Sequence, residues 1–430
     1  MSAQPFRLGI AGLGTVGAGV VEVLAANREA IAAKAGRPVQ ITAVSARSRS
    51  RDRGVDISGF AWEDDPVQLA EREDVDCVIE VIGGSDGPAK ALVERALSRG
   101  CHVVTANKAL IAHHGQALAQ AAEAAGVGLT CEAGVAGGIP VLKSLAEGLG
   151  ANRMSRMLGV LNGTCNYILT EMAATGRGYA EVLEEAQRKG YAEADPTFDV
   201  EGIDAAHKLA ILASVAFGTQ VDFEGVVTEG IARITAADIE TAADLGFSIK
   251  LLGLAQLHDQ GLEQWVRPCM VPRETLIGSL PGVTNAVVAE GDFIGACSFT
   301  GPGAGAGPTA SAILADVLDL ARGALRPLFG RPASGLSAAP RLAQSEEHSP
   351  YYLRAMLHDR PGALAALATS LGESGISIHR MRQYGRGEAS VPVVIVTHET
   401  ERKAVDLALS RIAALEVSAA APVALGIEEV

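Results

Sequence analysis

Near its N-terminus the chain reads Phe6-Arg7-Leu8-Gly9-Ile10-Ala11-Gly12-Leu13-Gly14-Thr15-Val16-Gly17, an apolar run that ends in three regularly spaced glycines. A helical pattern follows to about Ala33, and Gly36 and Pro38 end it before the next apolar run, Val39–Ser45. Strand, Gly-x-Gly-x-x-Gly, helix and strand in this order are typical of a dinucleotide-binding βαβ unit. The segment therefore predicts a Rossmann-type domain in the α/β class.

Each part of the motif has a physical role in holding a pyrophosphate. Gly12 permits the tight turn, Gly14 lets the pyrophosphate approach the backbone, and Gly17 allows close packing of helix on strand. The helix that begins near Thr15 and Val16 offers free N–H groups and the positive end of its dipole to the phosphates. We therefore predict all five residues to bind the cofactor.

More apolar runs alternate with helical patterns through residue 132, and these patterns predict helices from Pro88 to Arg99 and from His113 to Ala125. Three of the apolar runs end near Gly83, Lys108 and Glu132. Because ligands lie beyond the carboxyl ends of the strands in an open parallel sheet, these residues are expected at one rim, near the nicotinamide. Residues 1–132 are thus predicted to form an NAD(P)-binding domain.

The segment after the second predicted strand indicates which dinucleotide is bound. An NAD-preferring site usually has Asp or Glu there, to bind the ribose 2′-hydroxyl. No acidic residue occurs between Ala30 and Arg51, whereas Arg47, Arg49 and Arg51 cluster after the strand. A guanidinium pairs well with a 2′-phosphate, so NADP(H) is favoured over NAD(H), with Arg47 as the first candidate ligand. The alternative is that these arginines only solubilise a loop.

Composition limits the classes of partner. A net charge of −14 argues against nucleic acid and anionic membranes as main partners. No run reaches the roughly 18 uninterrupted apolar residues of a membrane span, and the N-terminus lacks a signal-peptide pattern. The six scattered cysteines have no metal-binding spacing, so we expect reduced thiols and a cytoplasmic location.

Five carboxylates crowd the segment 190–208, which runs into an apolar helix and ends at a lysine. Asp204 and Lys208 are spaced i,i+4 and therefore lie on one helix face beside the acidic loop. Such a site can hold a substrate ammonium with carboxylates while a lysine acts on a reacting carbonyl. The alternative is a capped helix with an ordinary surface ion pair.

The chain resembles the homoserine dehydrogenase family along nearly its whole length. The resemblance rests on the glycine motif and on the segments 105–108, 132–140, 161–169, 190–208 and 301–305. It implies NAD(P)H-dependent, reversible reduction of L-aspartate 4-semialdehyde to L-homoserine, in threonine, methionine and isoleucine biosynthesis. It also implies a homodimer or homotetramer acting on a small-molecule substrate.

The resemblance assigns roles residue by residue. Lys208 matches the proton donor, and Lys108 matches the second active-site lysine near the nicotinamide. The substrate ligands are matched by Glu193, Asp204 and Asp199, and backbone contacts to the cofactor are matched by Gly190 and Gly305. The family's Na⁺ or K⁺ site is matched by the carboxylate of Glu132 and the alternating carbonyls of Val135, Gly137 and Ile139. Cys165 and His207 depart from the family pattern without removing a charge.

The resemblance also predicts the domain organisation. Residues 133–300 would form an α+β substrate-binding and dimerisation domain, and about 301–325 would return to the first domain. A linker, 326–349, would lead to residues 350–430, whose pattern predicts a ferredoxin-like βαββαβ order with its second helix from Thr400 to Leu415. The turn Asp359-Arg360-Pro361-Gly362 looks like that of an ACT domain, with these residues near a threonine effector. The alternative is a module that serves assembly only.

Two other functions stay open from the sequence. One is a semialdehyde dehydrogenase that makes an acyl phosphate through a cysteine thiolate, for which Cys165 is the candidate although no histidine is paired with it. The other is a catalytically silent amino-acid sensor that retains NADP only structurally. The presence of both Lys108 and Lys208 beside carboxylates favours the dehydrogenase.

Overall fold

The computed structural model describes residues 4–342, 348–384 and 389–429. Its N-terminal strands are β1 (Phe6–Ala11), β2 (Val39–Ser45), β3 (Ala61–Glu63), β4 (Cys77–Glu80), β5 (His102–Thr105) and β6 (Leu129–Thr130). The helices between them are α1 (Thr15–Ala26), α2 (Arg28–Ala35), α3 (Pro88–Ser98) and α4 (Lys108–Ala125). All six strands are parallel, in the order β3-β2-β1-β4-β5-β6. This order confirms the Rossmann-type prediction.

Two helix boundaries differ from the sequence prediction. The helix expected to run to about Ala33 is two helices, because Asn27 leaves helical geometry, closes α1 through its N–H and precedes α2. Asn competes with the helix for backbone hydrogen bonds, which explains the break. The helix expected from His113 begins instead at Lys108, since the Asn107 side chain accepts the Leu110 N–H (3.1 Å) and caps it.

The middle of the chain is an antiparallel sheet with helices on it. Its helices are α5 (Val141–Lys143), α6 (Gly163–Thr175), α7 (Tyr179–Arg188), α8 (Thr197–Val200), α9 (Ile203–Phe217) and α10 (Ala236–Asp244). Helix α11 (Ala306–Ala321) follows the last of its strands and packs in the core of the N-terminal domain. The strands are β7 (Met154–Val160), β8 (Val227–Thr228), β9 (Phe247–His258), β10 (Gly261–Pro272), β11 (Thr284–Gly291) and β12 (Gly295–Pro302). Helix α9 is buried along almost its whole length, in the main core.

The C-terminal part has the predicted ferredoxin-like order. Its elements are β13 (His348–Ser349), β14 (Tyr351–His358), α12 (Ala363–Glu373), β15 (Ile378–Gln383), β16 (Ser390–Thr397), β17 (Thr400–Glu401), α13 (Arg402–Ala413) and β18 (Ser418–Ile427). Thr400 and Glu401, expected within the helix, form a short strand instead. The four main strands lie in the order β18-β14-β16-β15.

The C-terminal sheet continues the sheet of the middle region. Strand β18 pairs with β10 in parallel, Cys269 opposite Gly426 and Met270 opposite Ile427. A buried ion pair strengthens this junction: the Arg354 Nε of β14 lies 2.6 Å from Oδ1 of Asp238, which is fully buried at the start of α10. The C-terminal module is therefore built onto the substrate region.

The described part of the predicted linker packs on the middle region. Arg341 forms a two-bond ion pair with Asp222 (2.6 and 2.7 Å), and Leu262 donates its N–H to the Pro340 carbonyl. Residues 343–347 of that linker lie outside the described residues. Helix α11 packs on α1, where a Cβ on Gly19 would stand 2.7 Å from the Ala306 carbonyl oxygen.

Three properties of the described residues bear on the composition argument. None of the helices in the described ranges combines the length and hydrophobicity required to span a bilayer. All six cysteines are free thiols, and five are buried. The described residues include no cluster of three or more His, Cys, Asp or Glu suited to a metal ion.

Candidate active site

The glycine loop has the geometry that a dinucleotide needs. Gly12 has φ +101°, and a Cβ there would stand 2.5 Å from the Val81 carbonyl oxygen. A Cβ on Gly17 would stand 2.0 Å from the Gly12 oxygen, so both positions require glycine. Around Gly14, by contrast, a Cβ would meet nothing within 4 Å. The loop leading into α1 is thus tight on its inner side and open toward a ligand.

A buried carboxylate joins the carboxyl ends of β4 and β5. Glu80, fully buried, accepts hydrogen bonds from the Gly83 N–H (3.1 Å) and the Thr105 hydroxyl (2.6 Å). Asn107 donates to the Gly84 carbonyl (2.7 Å). Sequence reasoning assigned no role to Glu80, although an acidic residue inside an apolar strand was a signal. These bonds fix the turn that starts α4 and so fix Lys108.

Two lysines meet at one carboxylate. The Lys208 Nζ lies 2.6 Å from Asp204 Oδ2 and donates a second hydrogen bond to the Leu161 carbonyl (2.8 Å). The Lys108 Nζ, from the nucleotide-binding domain, lies 3.1 Å from Asp204 Oδ1. Lys208 is 9% and Asp204 6% exposed. The structure therefore joins the two predicted catalytic lysines in one largely buried cluster, which excludes the surface-pair alternative.

Asn162 positions both aspartates of this cluster. It caps α6 and donates to Asp199 Oδ1 (2.8 Å) and Asp204 Oδ2 (2.9 Å). Burial alone would raise the pKa of Asp204, but Lys208 and Lys108 outweigh it and hold that pKa well below its usual value. Burial raises the pKa of Asp199 against the opposing Asn162 bond. No role was predicted for Asn162 from the sequence, although an Asn between a predicted strand and a helix is a sign of a helix cap.

An aromatic wall borders the cluster. The His207 ring stacks on Phe223 at 4.0 Å and on Phe198 at 5.6 Å, and the Lys108 Nζ lies 5.6 Å from the Phe198 ring centre. Burial, His113 and Lys108 lower the pKa of His207 to about 4, so its imidazole is neutral at pH 7. His207, which departs from the family pattern, thus adds no charge to the site.

Three predicted residues lie apart from the lysine cluster. Glu193 is exposed, and its carboxylate makes no hydrogen bond or ion pair within the described ranges. Gly190 follows α7 with φ +75°, and Gly305 precedes α11 with φ +115°. The cluster forms without Glu193 in contact with it.

The predicted cation ligands lie in a strained turn after β6. Ala136 (φ 54°) and Gly137 (φ 52°) are consecutive left-handed residues, and a Cβ on Gly137 would stand 2.4 Å from the Gly303 oxygen. The Glu132 carboxylate accepts the N–H groups of Leu142 (3.0 Å) and Lys143 (2.8 Å) at the start of α5. Val135 and Ile139 are also buried.

Electrostatics around Glu132 are unusual. Burial and the neighbouring Asp316 raise the pKa of Glu132 to about 7. The Lys143 Nζ bridges Asp316 (2.8 Å) and Asp319 (2.7 Å) nearby. The site is therefore rich in buried oxygen ligands, and Lys143 only partly offsets the effect of burial and Asp316 on Glu132.

The arginines after β2 are exposed, but a fourth arginine organises their loop. Arg53 donates to the carbonyls of Leu13 (3.2 Å), Arg51 (2.6 Å) and Ser48. It thereby joins this loop to the glycine loop, a connection that sequence reasoning did not find. Arg47 is exposed at the end of the same strand.

Cys165 does not have the environment of a nucleophile. Its thiol is fully buried and donates to the Asp199 carbonyl (3.2 Å). Burial, with Asp199 and Asp204 nearby, raises the pKa of the thiol well above its usual value. A catalytic cysteine needs the opposite shift, so the geometry disfavours the acyl-phosphate chemistry.

The predicted effector turn is exposed at the start of α12. Gly362 has φ +89°, and Asp359 and Arg360 are both exposed. The Arg360 side chain lies 3.8 Å from Glu416, while the Asp359 N–H donates to the Ala389 carbonyl.

Comparison with known proteins agrees with this geometry. The family profile for the homoserine dehydrogenase NAD-binding domain matches residues 12–132, that for homoserine dehydrogenase matches 140–318, and that for the ACT domain matches 351–417. A homoserine dehydrogenase of Pseudomonas aeruginosa is 44% identical over 421 residues, 96% of each chain.

Solved structures show the same relationship. The crystal structure of a homoserine dehydrogenase from Thiobacillus denitrificans has a TM-score of 0.93 at 42% identity and covers 100% of this chain and 99% of its own. A hyperthermophilic archaeal homoserine dehydrogenase in complex with NADPH has a TM-score of 0.64 at 25% identity, over 74% of this chain and 97% of its own. The chain belongs to the homoserine dehydrogenase family, the NAD(P)-dependent oxidoreductases that interconvert L-aspartate 4-semialdehyde and L-homoserine.

Proposed function

We propose that Lys208 gives the proton to the aldehyde oxygen and that Lys108 stabilises the developing charge. The observation that supports this assignment is the position of Asp204, which holds both ammonium groups at 2.6 and 3.1 Å. The bound nicotinamide supplies the hydride. A cation beside the oxygen lowers the barrier because negative charge develops there as the carbonyl is reduced. In the reverse direction Lys208, as the neutral amine, takes the proton from the hydroxyl.

Asp199 and Glu193 are proposed to bind the amino group of the substrate. Asp199 lies beside Asp204 through their shared bond to Asn162 and has a lone pair available. Glu193 is exposed on the loop between α7 and α8, so it contacts the substrate only if that loop moves inward. A substrate ammonium would supply the attraction for such a movement.

NADP(H) is proposed as the preferred cofactor. Arg47 is exposed beside the loop that Arg53 joins to the glycine loop, and the described part of β2 and its following turn through 51 contains no carboxylate to repel a 2′-phosphate. Gly190 and Gly305, both with positive φ, are proposed backbone contacts to the cofactor. The archaeal relative described above was solved with NADPH.

A monovalent cation is proposed at the turn after β6. Glu132, Val135, Gly137 and Ile139 are buried and provide hard oxygen ligands, which suit Na⁺ or K⁺. The strained Ala136 peptide supports a ligand role, because such strain persists mostly where function requires it. There the ion would offset the negative charge of Glu132 and Asp316 and would hold the turn against Gly303.

We also propose the domain limits given above. The assembly is proposed to be a homodimer or homotetramer, and the effector is proposed to be threonine. The exposed turn at 359–362 leads into α12, whose first N–H groups can bind a carboxylate. Because β18 pairs with β10, the module shares a sheet with the strands that support α9, which supports a regulatory role for it.

The cofactor preference is tested by comparing kcat/KM for NADP⁺ and NAD⁺ during oxidation of L-homoserine. We expect NADP⁺ to be the better substrate. Arg47→Ala should reduce this preference, and Arg233→Ala, which changes an exposed arginine outside the nucleotide-binding domain, is the matched control. Equal kcat/KM values for the two cofactors in the wild-type chain would contradict the proposal.

A further inference from the structure

Lys250 is a buried cation that has no role in the proposed reduction of the aldehyde. It lies on β9 and is 4% exposed, and its Nζ donates to Asn166 Oδ1 (2.8 Å) and to the Leu280 carbonyl (2.5 Å). Both acceptors are neutral, and no carboxylate in the described ranges lies within 4.0 Å of this ammonium. A buried charge without a counter-ion is strongly unfavourable. A bound anion would therefore stabilise the buried ammonium of Lys250.

A cavity of about 660 Å³ adjoins this lysine. It lies between the C-terminal half of α6, helix α10 and the start of β9, and its volume is in the range of small-molecule sites. The wall is of mixed polarity, and Ile239 and Phe247 contribute to its apolar part. Thr170 also lines the cavity, and its hydroxyl is buried and has no hydrogen-bond partner among the described residues. A residue with a buried ammonium and a residue with an unsatisfied hydroxyl thus line the same cavity.

We propose that this cavity binds a small organic carboxylate, with Lys250 and Thr170 holding the anionic end. Hydrogen bonds from an ammonium to a carboxylate are among the strong ones in proteins, and the apolar part of the wall, at Ile239 and Phe247, suits a short hydrocarbon chain. Arg273, exposed in the wall, adds positive charge, and Glu240 disfavours a second carboxylate on the ligand.

The cavity is separate from the catalytic cluster. Asn162, which holds the catalytic aspartates, lies at the start of α6, whereas Thr170 and the cavity lie toward its other end. Asn166, one turn after Asn162, contacts Lys250. Burial lowers the pKa of Lys250 to about 8, so the amine is mostly protonated at pH 7.

The proposal is tested by calorimetric titration of the full chain with isovalerate and with the uncharged isovaleramide, at matched ionic strength and pH 7. We expect isovalerate to bind and isovaleramide to bind at least about tenfold more weakly, because the charged hydrogen bonds are lost. Lys250→Met should weaken isovalerate by a similar factor and Thr170→Val by a smaller one. Lys34→Met, which changes an exposed lysine, is the matched control and should bind as the wild type does.

A pH series on the wild type keeps the test valid if Lys250→Met does not fold. The ionisable side chains in the described cavity wall are Lys250, Arg273 and Glu240. Burial lowers the pKa of Lys250 to about 8, so isovalerate affinity should fall about tenfold per pH unit above that value as the ammonium loses its charge. No binding to the wild type, equal affinity for the amide, or affinity unchanged between pH 7 and 10 would each overturn the proposal.

Discussion

Replacing Lys208 by Met removes the ammonium from the catalytic cluster and keeps most of the side-chain volume. If Lys208 delivers the proton, kcat should fall about 10²–10⁴-fold, the usual contribution of a positioned general acid. This loss corresponds to about 3–5 kcal/mol of activation free energy. The cofactor should bind as before, because the glycine loop lies on a different domain.

The same variant should lose only moderate stability. Asp204 would keep its ion pair with Lys108 (3.1 Å) and its bond to Asn162 (2.9 Å). The free energy of unfolding should therefore drop by about 1–3 kcal/mol, the cost of one charged hydrogen bond. This decrease in the free energy of unfolding is smaller than the loss of about 3–5 kcal/mol expected when a buried charge loses its only partner.

Steady-state oxidation of L-homoserine gives the rate, and thermal unfolding gives the stability. Lys90→Met is the matched control, because Lys90 also has i,i+4 carboxylates, at 3.9 and 4.0 Å, but on the surface. It should change neither quantity appreciably. Near-normal kcat in the Lys208→Met variant would refute the assignment and would leave Lys108 as the proton donor.

Three further variants test other parts of the account. Arg47→Ala should reduce kcat/KM for NADPH at least about tenfold more than for NADH; equal reductions would place the cofactor preference elsewhere. Arg354→Met should lower the free energy of unfolding by about 3–5 kcal/mol in denaturant titrations, since it leaves Asp238 buried without its cation, and an unchanged midpoint would show that the junction does not depend on this pair. Gly362→Val, at φ +89°, should abolish inhibition by threonine while leaving uninhibited activity intact; normal inhibition would show that the effector binds away from this turn.

The sequence was most informative where local patterns determine structure. The glycine motif predicts the β1–α1 turn because Gly12 and Gly17 avoid clashes with nearby backbone, while Gly14 leaves space for a ligand. The i,i+4 spacing predicts that Asp204 and Lys208 face the same side, and the structure shows them 2.6 Å apart. Alternation of strands and helices was enough to predict both the Rossmann-type domain and the βαββαβ order.

Contacts between distant segments could not be predicted in this way. Asn162 and Asp204 lie 42 residues apart, and Asp238 and Arg354 lie 116 residues apart. The parallel pairing of β18 with β10 is equally remote, and it makes the C-terminal module an extension of the substrate sheet. One sequence shows which residues carry charge but not which of them become neighbours. For the same reason Lys250 did not stand out before the structure showed its burial.

The most direct test of the central claim is the stoichiometry of the wild-type reaction with L-aspartate 4-semialdehyde. We predict that one molecule of L-homoserine forms for each molecule of NADPH oxidised, because the cluster of Lys108, Asp204 and Lys208 is built to protonate an aldehyde oxygen. Consumption of NADPH and appearance of homoserine are measured in the same sample. Consumption of NADPH without formation of homoserine, or cofactor binding without turnover, would contradict the account. So would phosphate-dependent formation of an acyl phosphate with reduction of NADP⁺ when NADP⁺ replaces NADPH.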